Sequence, residues 1–297
     1  MPTALITGIA GFTGRYLSTA LQQQGYKVVG LTQGRHDPDK DLFSCDLLDR
    51  CGLADVVAQV QPYVVAHLAA ISFVEHGDAE DIYRTNVVGT RNLLEALAAC
   101  GKIPRVVLLA SSANIYGNTT DNPIIESTLP SPANDYAVSK LAMEYMAKLW
   151  MDKLPLIIVR PFNYTGRQQA PNFLIPKIVD HYRRGDMEIE LGNLDVARDF
   201  SDVRTVVSAY KKLIELAPAG ETFNVCSGEA VSLEGVLEMM ATIAGYAIKV
   251  RVNPAFVRES EVKCLRGSNA KLINFIGDSA SIPLGETLRW MFEVGVA

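Results

Sequence analysis

Runs of consecutive apolar residues alternate with amphipathic helical stretches through the first half of this chain. The strand-length runs lie at 26–32, 62–70, 105–112 and 155–163. Amphipathic stretches separate them, notably at 79–100 and 134–151. Continuous rather than alternating apolarity is typical of strands that are covered on both faces of a sheet. This strand–helix repetition predicts an α/β fold built on a Rossmann-type, doubly wound parallel sheet.

A glycine-rich turn follows the first short apolar segment, at residues 7–14 (TGIAGFTG). Gly8, Gly11 and Gly14 stand three residues apart, after the β-prone ALITG and before RYLSTALQQQG, whose apolar spacing is helical. A strand, a glycine turn and a helix together present backbone N–H groups to a phosphate. The spacing G-x-x-G-x-x-G differs from the usual dinucleotide fingerprint. The turn alone therefore also fits a tight connection without a ligand.

The pattern loosens after residue 164. TGRQQAPNF is rich in turn-forming residues, and the later strand-like runs FNVCSG and IKVRVNP are short. We therefore expect a smaller C-terminal lobe over residues 164–297, interleaved with a first domain. That first domain covers residues 1–163, returns near 200–225, and holds the glycine turn.

Composition limits the classes of partner. The chain has 297 residues, 48% of them hydrophobic, and a net charge of −5. It has no basic run, so we expect neither nucleic acid nor a membrane as a partner. The five cysteines form no zinc spacing with the four histidines, which predicts no metal site and a reduced, cytoplasmic protein. No signal peptide is recognisable, and no apolar stretch reaches the roughly 18 residues of a membrane span.

Tyr136 and Lys140 are four residues apart on a predicted helix and so share one face. An ammonium group beside a phenol favours the phenolate and lowers the pKa of the tyrosine from its ordinary value of about 10. Such a tyrosine can donate or accept a proton near neutral pH. Pairs of this kind are common on helices, so this one alone also fits two solvated side chains.

Six motifs occur in one order along the chain: TGxxGxxG from residue 7, HLAA at 67–70, TNVVGT at 85–90, SSANIYG at 111–117, YAVSK at 136–140 and RPFN at 160–163. Together they resemble the extended short-chain dehydrogenase/reductase family, whose members modify nucleotide-sugars. The resemblance covers nearly the whole chain. It implies that Gly8, Gly11 and Gly14 let the backbone approach the pyrophosphate of a dinucleotide, and that the C-terminal lobe binds a nucleotide-sugar.

The resemblance also assigns residue roles. It makes Tyr136 the catalytic acid/base, Lys140 the group that binds the nicotinamide ribose and lowers the pKa of the tyrosine, and Ser112 the partner of the sugar oxygen. His67 is expected to be structural. Besides Tyr136 and Lys140, the positions expected at the cofactor are Gly8, Gly11, Phe12, Thr13, Gly14, Thr32, Arg35, Asp46, Leu47, Leu68, Ala69, Ala70 and Asn86, with Asp46 and Leu47 beside the adenine.

The end of the second strand bears on the choice of cofactor. Thr32 stands where an NAD-preferring fingerprint carries an acidic residue for the ribose 2′-hydroxyl. Arg35 follows three residues later and could pair with a 2′-phosphate. Asp37 and Asp39 lie near that arginine and weaken the argument. The sequence therefore favours NADP(H) and leaves NAD(H) open.

Three segments of the C-terminal lobe resemble the GDP-mannose branch of the family: NFLIPKI at 172–178, RDFSDV at 198–203 and FVRESEVKCLRGSNAKL at 256–272. The resemblance implies that Lys177, Arg198 and Arg258 bind the diphosphate side of a GDP-sugar, with Glu261 near its ribose. Two arginines and a lysine suit a pyrophosphate, although each alone also fits a surface charge. The remaining positions expected at the substrate are Ser112, Asn114, Asn163 and Phe173.

Asn114 indicates which of the two reactions of that branch, dehydration or reduction, this chain fits. In the dehydratases a glutamate base stands two residues after the active-site hydroxyl, and an asparagine cannot act as a base there. The sequence therefore looks like a reductase that converts the 4-keto group of GDP-4-keto-6-deoxy-D-mannose, with Tyr136 protonating the oxygen. The expected product is GDP-D-rhamnose, and its C4 epimer GDP-6-deoxy-D-talose stays open.

Two other functions remain possible on the sequence. A nucleotide-sugar 4-epimerase uses the same serine, tyrosine and lysine with a retained NAD. A non-catalytic, dinucleotide-binding regulatory subunit is disfavoured by the intact Ser112, Tyr136 and Lys140. Apolar faces on the helices at 79–100 and 135–151 predict a homodimer through a four-helix bundle, which the family commonly forms.

Overall fold

A computed structural model describes residues 1–33, 41–72, 78–257, 263–277 and 281–293. The strands are β1 Thr3–Thr7, β2 Lys27–Thr32, β3 Leu42–Ser44, β4 Val64–His67, β5 Val106–Ala110, β6 Leu156–Pro161, β7 Asn163–Thr165, β8 Glu188–Leu191, β9 Ala197–Asp202, β10 Thr222–Val225, β11 Ala230–Ser232, β12 Lys249–Val252 and β13 Cys264–Leu265. The α-helices are α1 Phe12–Gln23, α2 Arg50–Val60, α3 Ala79–Tyr83, α4 Thr90–Ala99, α5 Asp135–Lys148, α6 Leu174–Arg184, α7 Val203–Leu216, α8 Leu233–Ala244, α9 Ala270–Ile276 and α10 Leu284–Phe292. Short 3₁₀ helices cover Ala113–Tyr116 and Pro254–Phe256, and a π-helical turn covers Arg84–Gly89.

Polar side chains and glycines set several helix ends. Asp49 caps α2 by accepting the Gly52 N–H at 3.0 Å, and Asn134 caps α5 by accepting the Ala137 N–H at 2.8 Å. Each cap satisfies a backbone donor that has no partner within its own helix. Helix α6 ends at Gly185, whose φ of 74° is a left-handed conformation that glycine adopts without strain.

The central sheet has seven strands in the order β10-β6-β5-β4-β1-β2-β3. The ladders that join β3, β2, β1, β4, β5 and β6 are all parallel. Within this order the sheet runs outward in both directions from β1 and β4, so the strand order reverses between them. In such sheets ligands bind outside the carboxyl ends of the strands at this switch point. The predicted Rossmann-type, doubly wound architecture is confirmed.

The chain forms two compact units by its internal contacts. The first comprises 1–117, 129–161 and 207–223. Its core packs strand residues such as Leu5, Val65 and Val107 against helical residues such as Leu93 and Met143, all of them almost fully buried. Apolar side chains on one face of each helix therefore cover the sheet, which is why the strands read as continuous apolar runs.

The second unit comprises 118–128, 162–206 and 224–297. Strand β9 lies at its centre and pairs with β7, β11 and β13. A separate two-stranded ladder joins β8 and β12 in parallel. Apolar residues of α6, α8 and α10, among them Ile178, Val236 and Leu288, form a second core.

Two local features differ from the sequence-based expectations. The stretch 79–100 is interrupted by the π turn Arg84–Gly89, because an amphipathic period does not reveal one extra residue in a helical turn. The strand expected at 62–70 ends at His67, and residues 68–72 are in neither a helix nor a strand. Strand β10 lies within the expected return near 200–225 and joins the central sheet.

Within the described ranges, no helix is long and apolar enough to cross a membrane. The same residues contain no group of three or more histidine, cysteine or acidic side chains that could hold a metal ion. All five cysteines are free thiols, and two of them, Cys45 and Cys226, are buried.

Candidate active site

The turn after β1 packs directly against the segment that follows β4. Gly8 has a positive φ of 70° and donates its N–H to the Leu31 carbonyl at 3.2 Å. A Cβ at Gly8 would lie 2.8 Å from the backbone nitrogen of Ala69, closer than real Cβ atoms come. Gly8 is therefore required both by its conformation and by the close approach of two strand ends at the switch point.

Gly11 and Gly14 differ in what surrounds them. Gly14 is buried in α1, where a Cβ would lie 2.7 Å from the Cα of Ile9. Gly11 is exposed and has an ordinary φ of −72°, and the nearest described atom to a Cβ there is the Gly8 carbonyl oxygen, at 3.1 Å. Packing within the protein thus explains Gly8 and Gly14, whereas a Cβ at Gly11 would meet a single close backbone atom at the N-terminus of α1.

The N-terminus of α1 fits an anionic group. Within the described chain, no side chain caps this helix and no acidic residue lies in its first turn, which begins with Phe12 and Thr13. A helix N-terminus carries partial positive charge and directs N–H groups outward, an arrangement that binds phosphate. The turn therefore has the chemistry to hold the pyrophosphate of NAD(P)H.

Other positions expected at the cofactor lie where strands end. Thr32 is the last residue of β2, and residues 68–70 follow β4 directly. Asp46 is exposed, and its carboxylate accepts the Leu48 N–H at 2.9 Å. The side chain of Leu47 is buried in the core, and its carbonyl accepts the Asn92 amide at 3.0 Å. Arg35 lies outside the described residues.

Lys140 and Tyr136 lie on α5, and Ser112 lies just beyond β5. The Lys140 Nζ is buried, donates to the Ala110 carbonyl at 2.8 Å, and lies 6.0 Å from the centroid of the Tyr136 ring. Burial lowers the pKa of Lys140 to about 8, and the Glu144 carboxylate opposes that shift. The Ser112 Oγ accepts the Asn114 N–H at 3.1 Å and so caps the 3₁₀ helix. The structure thus gathers the three residues around the end of β5.

Asn86 links the π turn to this helix. Its amide nitrogen donates to the Ser139 hydroxyl at 3.0 Å and to the Ile71 carbonyl at 3.1 Å. Its oxygen accepts the Ile71 N–H at 2.9 Å. Ser139 in turn donates to the Tyr136 carbonyl at 2.8 Å. Through these hydrogen bonds the buried Asn86 joins Ile71, in the segment after β4, to the helix that carries Tyr136.

His67 ends β4 within a buried chain of hydroxyl groups. Its Nδ1 lies 2.7 Å from the Thr7 Oγ1, and its Nε2 lies 2.8 Å from the Thr90 Oγ1. Because Thr90 donates to the Asn86 carbonyl at 2.7 Å, we assign the ring proton to Nε2, which donates to Thr90. Burial, with a smaller contribution from the Lys140 charge, lowers the pKa of His67 to about 3. The ring is therefore neutral.

The expected substrate residues of the second unit lie on three elements, two of which, the strands of Asn163 and Arg198, are paired. Asn163 in β7 directs its amide to the Asp199 carbonyl at 3.4 Å. Arg198 in β9 donates to the carbonyls of Ala197 and Lys263, at 2.9 and 3.5 Å. Phe173 is partly exposed at the start of α6. Arg258 and Glu261 lie outside the described residues.

Lys177 lies in an open pocket of about 330 Å³. Its Nζ donates to the Glu190 carbonyl at 2.7 Å and lies 4.5 Å from the centroid of the Phe256 ring. The residues that line this pocket are Lys177, His181, Glu188, Ile189, Glu190, Arg251 and Phe256. Arg198 is not among the residues that line this pocket.

Two features near Ser112 escaped the sequence-based reasoning. The Ser111 Oγ is buried and has no hydrogen-bond partner among the described residues, which is uncommon for a buried hydroxyl. Arg160 of the RPFN motif forms a buried ion pair with Glu144. Glu144 could have been noticed, because it lies eight residues after Tyr136 and hence on the same helical face.

A family model decides the classification. The model described as the NAD dependent epimerase/dehydratase family matches residues 4–226. The chain belongs to this family. The expectation of an extended short-chain dehydrogenase/reductase is therefore confirmed, and the glycine turn, Asn86, Ser112, Tyr136 and Lys140 all lie within the matched region.

Two relatives are named as enzymes of GDP-linked deoxysugars. The chain is 34% identical to GDP-6-deoxy-D-mannose reductase of Pseudomonas aeruginosa, over 96% of this chain and 94% of that protein. It is 32% identical to GDP-6-deoxy-D-talose 4-dehydrogenase of Aggregatibacter actinomycetemcomitans, over 92% of this chain and 91% of that protein.

Two solved structures share the fold over nearly their whole lengths. One, described as an epimerase from Burkholderia cenocepacia J2315, has 53% sequence identity and a TM-score of 0.92, with 98% of this chain and 97% of that chain covered. The other, RMD from Pseudomonas aeruginosa complexed with NADPH, has 31% identity and a TM-score of 0.86, with 98% of each chain covered.

Proposed function

We propose that this protein is an NADP(H)-dependent oxidoreductase that reduces the 4-keto group of GDP-4-keto-6-deoxy-D-mannose to give GDP-D-rhamnose. Similarity to two enzymes named for GDP-6-deoxyhexoses supports the substrate class. The observation that carries the reaction type is Asn114, an exposed amide two residues after Ser112. An amide cannot remove a proton from carbon, so elimination lacks its base, and this favours reduction over dehydration.

The side chains of the first unit supply the proton chemistry. Tyr136 donates its phenolic proton to the oxygen at C4, and the Ser112 hydroxyl donates a hydrogen bond to the same oxygen. The Lys140 ammonium, fixed by the Ala110 carbonyl, stabilises the phenolate that remains. When bound, NADPH supplies the hydride that C4 receives.

The cofactor would be held at the switch point. Gly11 and the N-terminus of α1 would bind its pyrophosphate, Ala69 and its neighbours would lie alongside, and Lys140 would reach the nicotinamide ribose. A solved relative that binds NADPH supports the choice of NADP(H). Arg35→Ala tests the expected contact with the 2′-phosphate, and it should raise KM for NADPH far more than KM for NADH. An equal rise for both would exclude that contact.

Reduction is tested with a panel of nucleotide-linked 4-keto-6-deoxy sugars and NADPH, by following the loss of NADPH absorbance. The GDP sugar should be consumed much faster than its UDP and dTDP counterparts. The C4 epimer GDP-6-deoxy-D-talose is the second candidate product, because one relative is named for it. NMR coupling constants of the purified product distinguish the two configurations at C4.

Binding of the GDP moiety is assigned to Lys177, Arg198, Arg258 and Glu261, with Asn163 and Phe173. Charge-assisted hydrogen bonds to a pyrophosphate contribute about 1.5–3 kcal/mol each. Arg258→Ala should therefore weaken GDP binding roughly ten- to a hundredfold. Calorimetry with GDP, UDP and dTDP tests the base, and tighter binding of UDP or dTDP would contradict the GDP assignment.

An epimerase is distinguished by its cofactor. A nucleotide-sugar 4-epimerase keeps NAD bound through each turnover, whereas a reductase must release its oxidised cofactor. Gel filtration should therefore separate this protein from its nucleotide, and a stoichiometric NAD that survives the column would favour the epimerase. A regulatory subunit would bind the cofactor and turn over none of the sugars.

A homodimer in the cytoplasm completes the proposal. Val88 of the π turn and Val138, Tyr145 and Leu149 in and just after α5 are exposed apolar side chains on the helices expected to form a four-helix bundle. Sedimentation equilibrium measures the mass. Tyr145→Glu with Leu149→Glu should give a monomer, because charges do not pack in an apolar helical interface.

A further inference from the structure

Arg160 occupies an enclosed position at the carboxyl end of β6. Its side chain is only 9% exposed, and that of Glu144 is 2% exposed. The guanidinium donates from Nε to Glu144 Oε1 at 2.9 Å and from Nη2 to Glu144 Oε2 at 2.7 Å. Its Nη1 donates to the Tyr116 hydroxyl at 2.8 Å, and the Tyr116 ring centroid lies 5.2 Å from Cζ. Tyr116, Arg160 and Glu144 together form the Arg160 bridge.

The two ends of the Arg160 bridge belong to the two elements that carry the proposed chemistry. Glu144 lies on α5, four residues after Lys140 and eight after Tyr136, so the three share one face of the helix. Tyr116 is the last residue of the 3₁₀ helix that Ser112 caps. The bridge therefore connects the segment that presents the Ser112 hydroxyl to the helix that presents the Tyr136 phenol.

A second link joins the same two elements. Lys140 of α5 donates to the carbonyl of Ala110, two residues before Ser112. The segment from Ala110 to Tyr116 is thus tied to α5 at both of its ends, by Lys140 at one and by the Arg160 bridge at the other. A segment fixed at both ends has less freedom to shift Ser112 toward or away from Tyr136.

Stability alone does not account for this arrangement. The hydration free energy that two charges lose on burial is about as large as the attraction between them. Apolar residues of similar volume therefore often give a protein equal stability. Arginine, in contrast to an apolar side chain, fixes direction, because its planar guanidinium binds a carboxylate with two parallel hydrogen bonds. The Arg160 bridge is therefore better suited to set a geometry than to stabilise a core.

We propose that Arg160 is a positioning residue, which sets the separation between the Ser112 hydroxyl and the Tyr136 phenol by holding Tyr116 and Glu144 together. The part of this inference that concerns turnover rests on the proposed function, since the carbonyl oxygen of the substrate must fit between those two groups. Arg160 itself touches neither substrate nor cofactor in this assignment.

The kinetic test compares Tyr116→Phe and Arg160→Lys with the wild type. Tyr116→Phe removes one hydroxyl, keeps the ring, and leaves the ion pair beside Lys140 in place. Misplacement of reacting groups by about 1 Å can cost on the order of a hundredfold in rate, so both variants should lose about ten- to a hundredfold in kcat. KM for NADPH should stay near the wild-type value, because the glycine turn is untouched. Wild-type kcat in both variants would overturn the proposal.

Two further variants separate positioning from stability. Arg204 also forms a two-bond pair with a buried carboxylate, that of Asp202 in the second unit, at 2.9 and 2.6 Å, although its own side chain is more exposed than that of Arg160. Arg204→Lys should lower the melting temperature and leave kcat unchanged. The double variant Glu144→Leu/Arg160→Met should regain the stability lost in Arg160→Lys without regaining kcat. Recovery of kcat together with stability would show a merely structural role.

Hydrogen exchange gives a readout that needs no substrate. The N–H groups of Asn114, Ile115 and Gly117 all bond within the 3₁₀ turn, to Ser112 Oγ, the Ser112 carbonyl and the Asn114 carbonyl. In Tyr116→Phe these amides should exchange faster, while amides of the central sheet keep their wild-type rates. If the wild type turns over no GDP-linked keto sugar, the proposed function fails and exchange alone decides the inference. Unchanged exchange in this turn would overturn it.

Discussion

Acid should destabilise this protein through His67. The ring is fully buried between Thr7 and Thr90, and its pKa is lowered from 6.5 to about 3. Between these two pKa values the unfolded chain takes up a proton that the folded chain excludes, so stability falls as the pH falls below about 6.5. Each pKa unit is worth about 1.4 kcal/mol. This one group should therefore lower the free energy of unfolding by about 2 kcal/mol at pH 5, and by about 4 kcal/mol once the pH nears 3.

The measurement is urea unfolding of the wild type and of His67→Gln at about pH 7 and about pH 5. A glutamine amide can accept from Thr7 and donate to Thr90 but does not titrate. The wild type should lose about 2 kcal/mol more than the variant over this interval, with carboxylate contributions common to both. An equal loss in the two proteins would refute the assignment of a buried, neutral His67.

Three further predictions concern activity and cofactor binding. Tyr136→Phe should lower kcat by about 10²–10⁴-fold with NADPH affinity retained, as stopped-flow kinetics and fluorescence titration would show, and normal turnover would remove Tyr136 from the mechanism. Because burial lowers the pKa of Lys140 to about 8, kcat should decline as the pH rises through that value, and a plateau to pH 10 would contradict a role for its charge. Gly11→Ala should weaken NADPH binding about tenfold or more by placing a methyl group at the helix N-terminus. Gly285→Ala is its matched control, since a Cβ there meets its nearest described neighbour at 4.0 Å, and equal affinities in the two variants would argue against a phosphate at α1.

Local sequence patterns were sufficient for the sheet and the glycine turn. Continuous apolar runs identify strands such as Val106–Ala110 because covering on both faces leaves no polar position to interrupt them. The turn at Gly8 was recognisable because a positive φ and a close backbone approach both exclude other residues. These features depend on near neighbours in the chain, which a pattern can report.

Local sequence patterns could not predict contacts between segments that are distant in the chain. Arg160 and Glu144 pair across 16 residues, and Arg160 meets Tyr116 across 44. A glutamate on a helix is expected at the surface unless it is paired, and its partner cannot be read from its own segment. The three-residue strand β3 carries too few residues to establish a period, and the place of β10 in the sheet depends on its partner β6, which its own segment does not reveal.

The division of the chain into two units has a consequence for its synthesis. The chain passes between the units five times, and neither unit is a continuous segment. During translation the first unit is therefore complete once residue 223 has been synthesised, whereas the second unit is complete only at the C-terminus. Folding of the first unit can precede that of the second during translation, and no continuous gene fragment encodes either unit without parts of the other. Cofactor binding by stalled nascent chains of increasing length would reveal when the glycine turn first becomes functional.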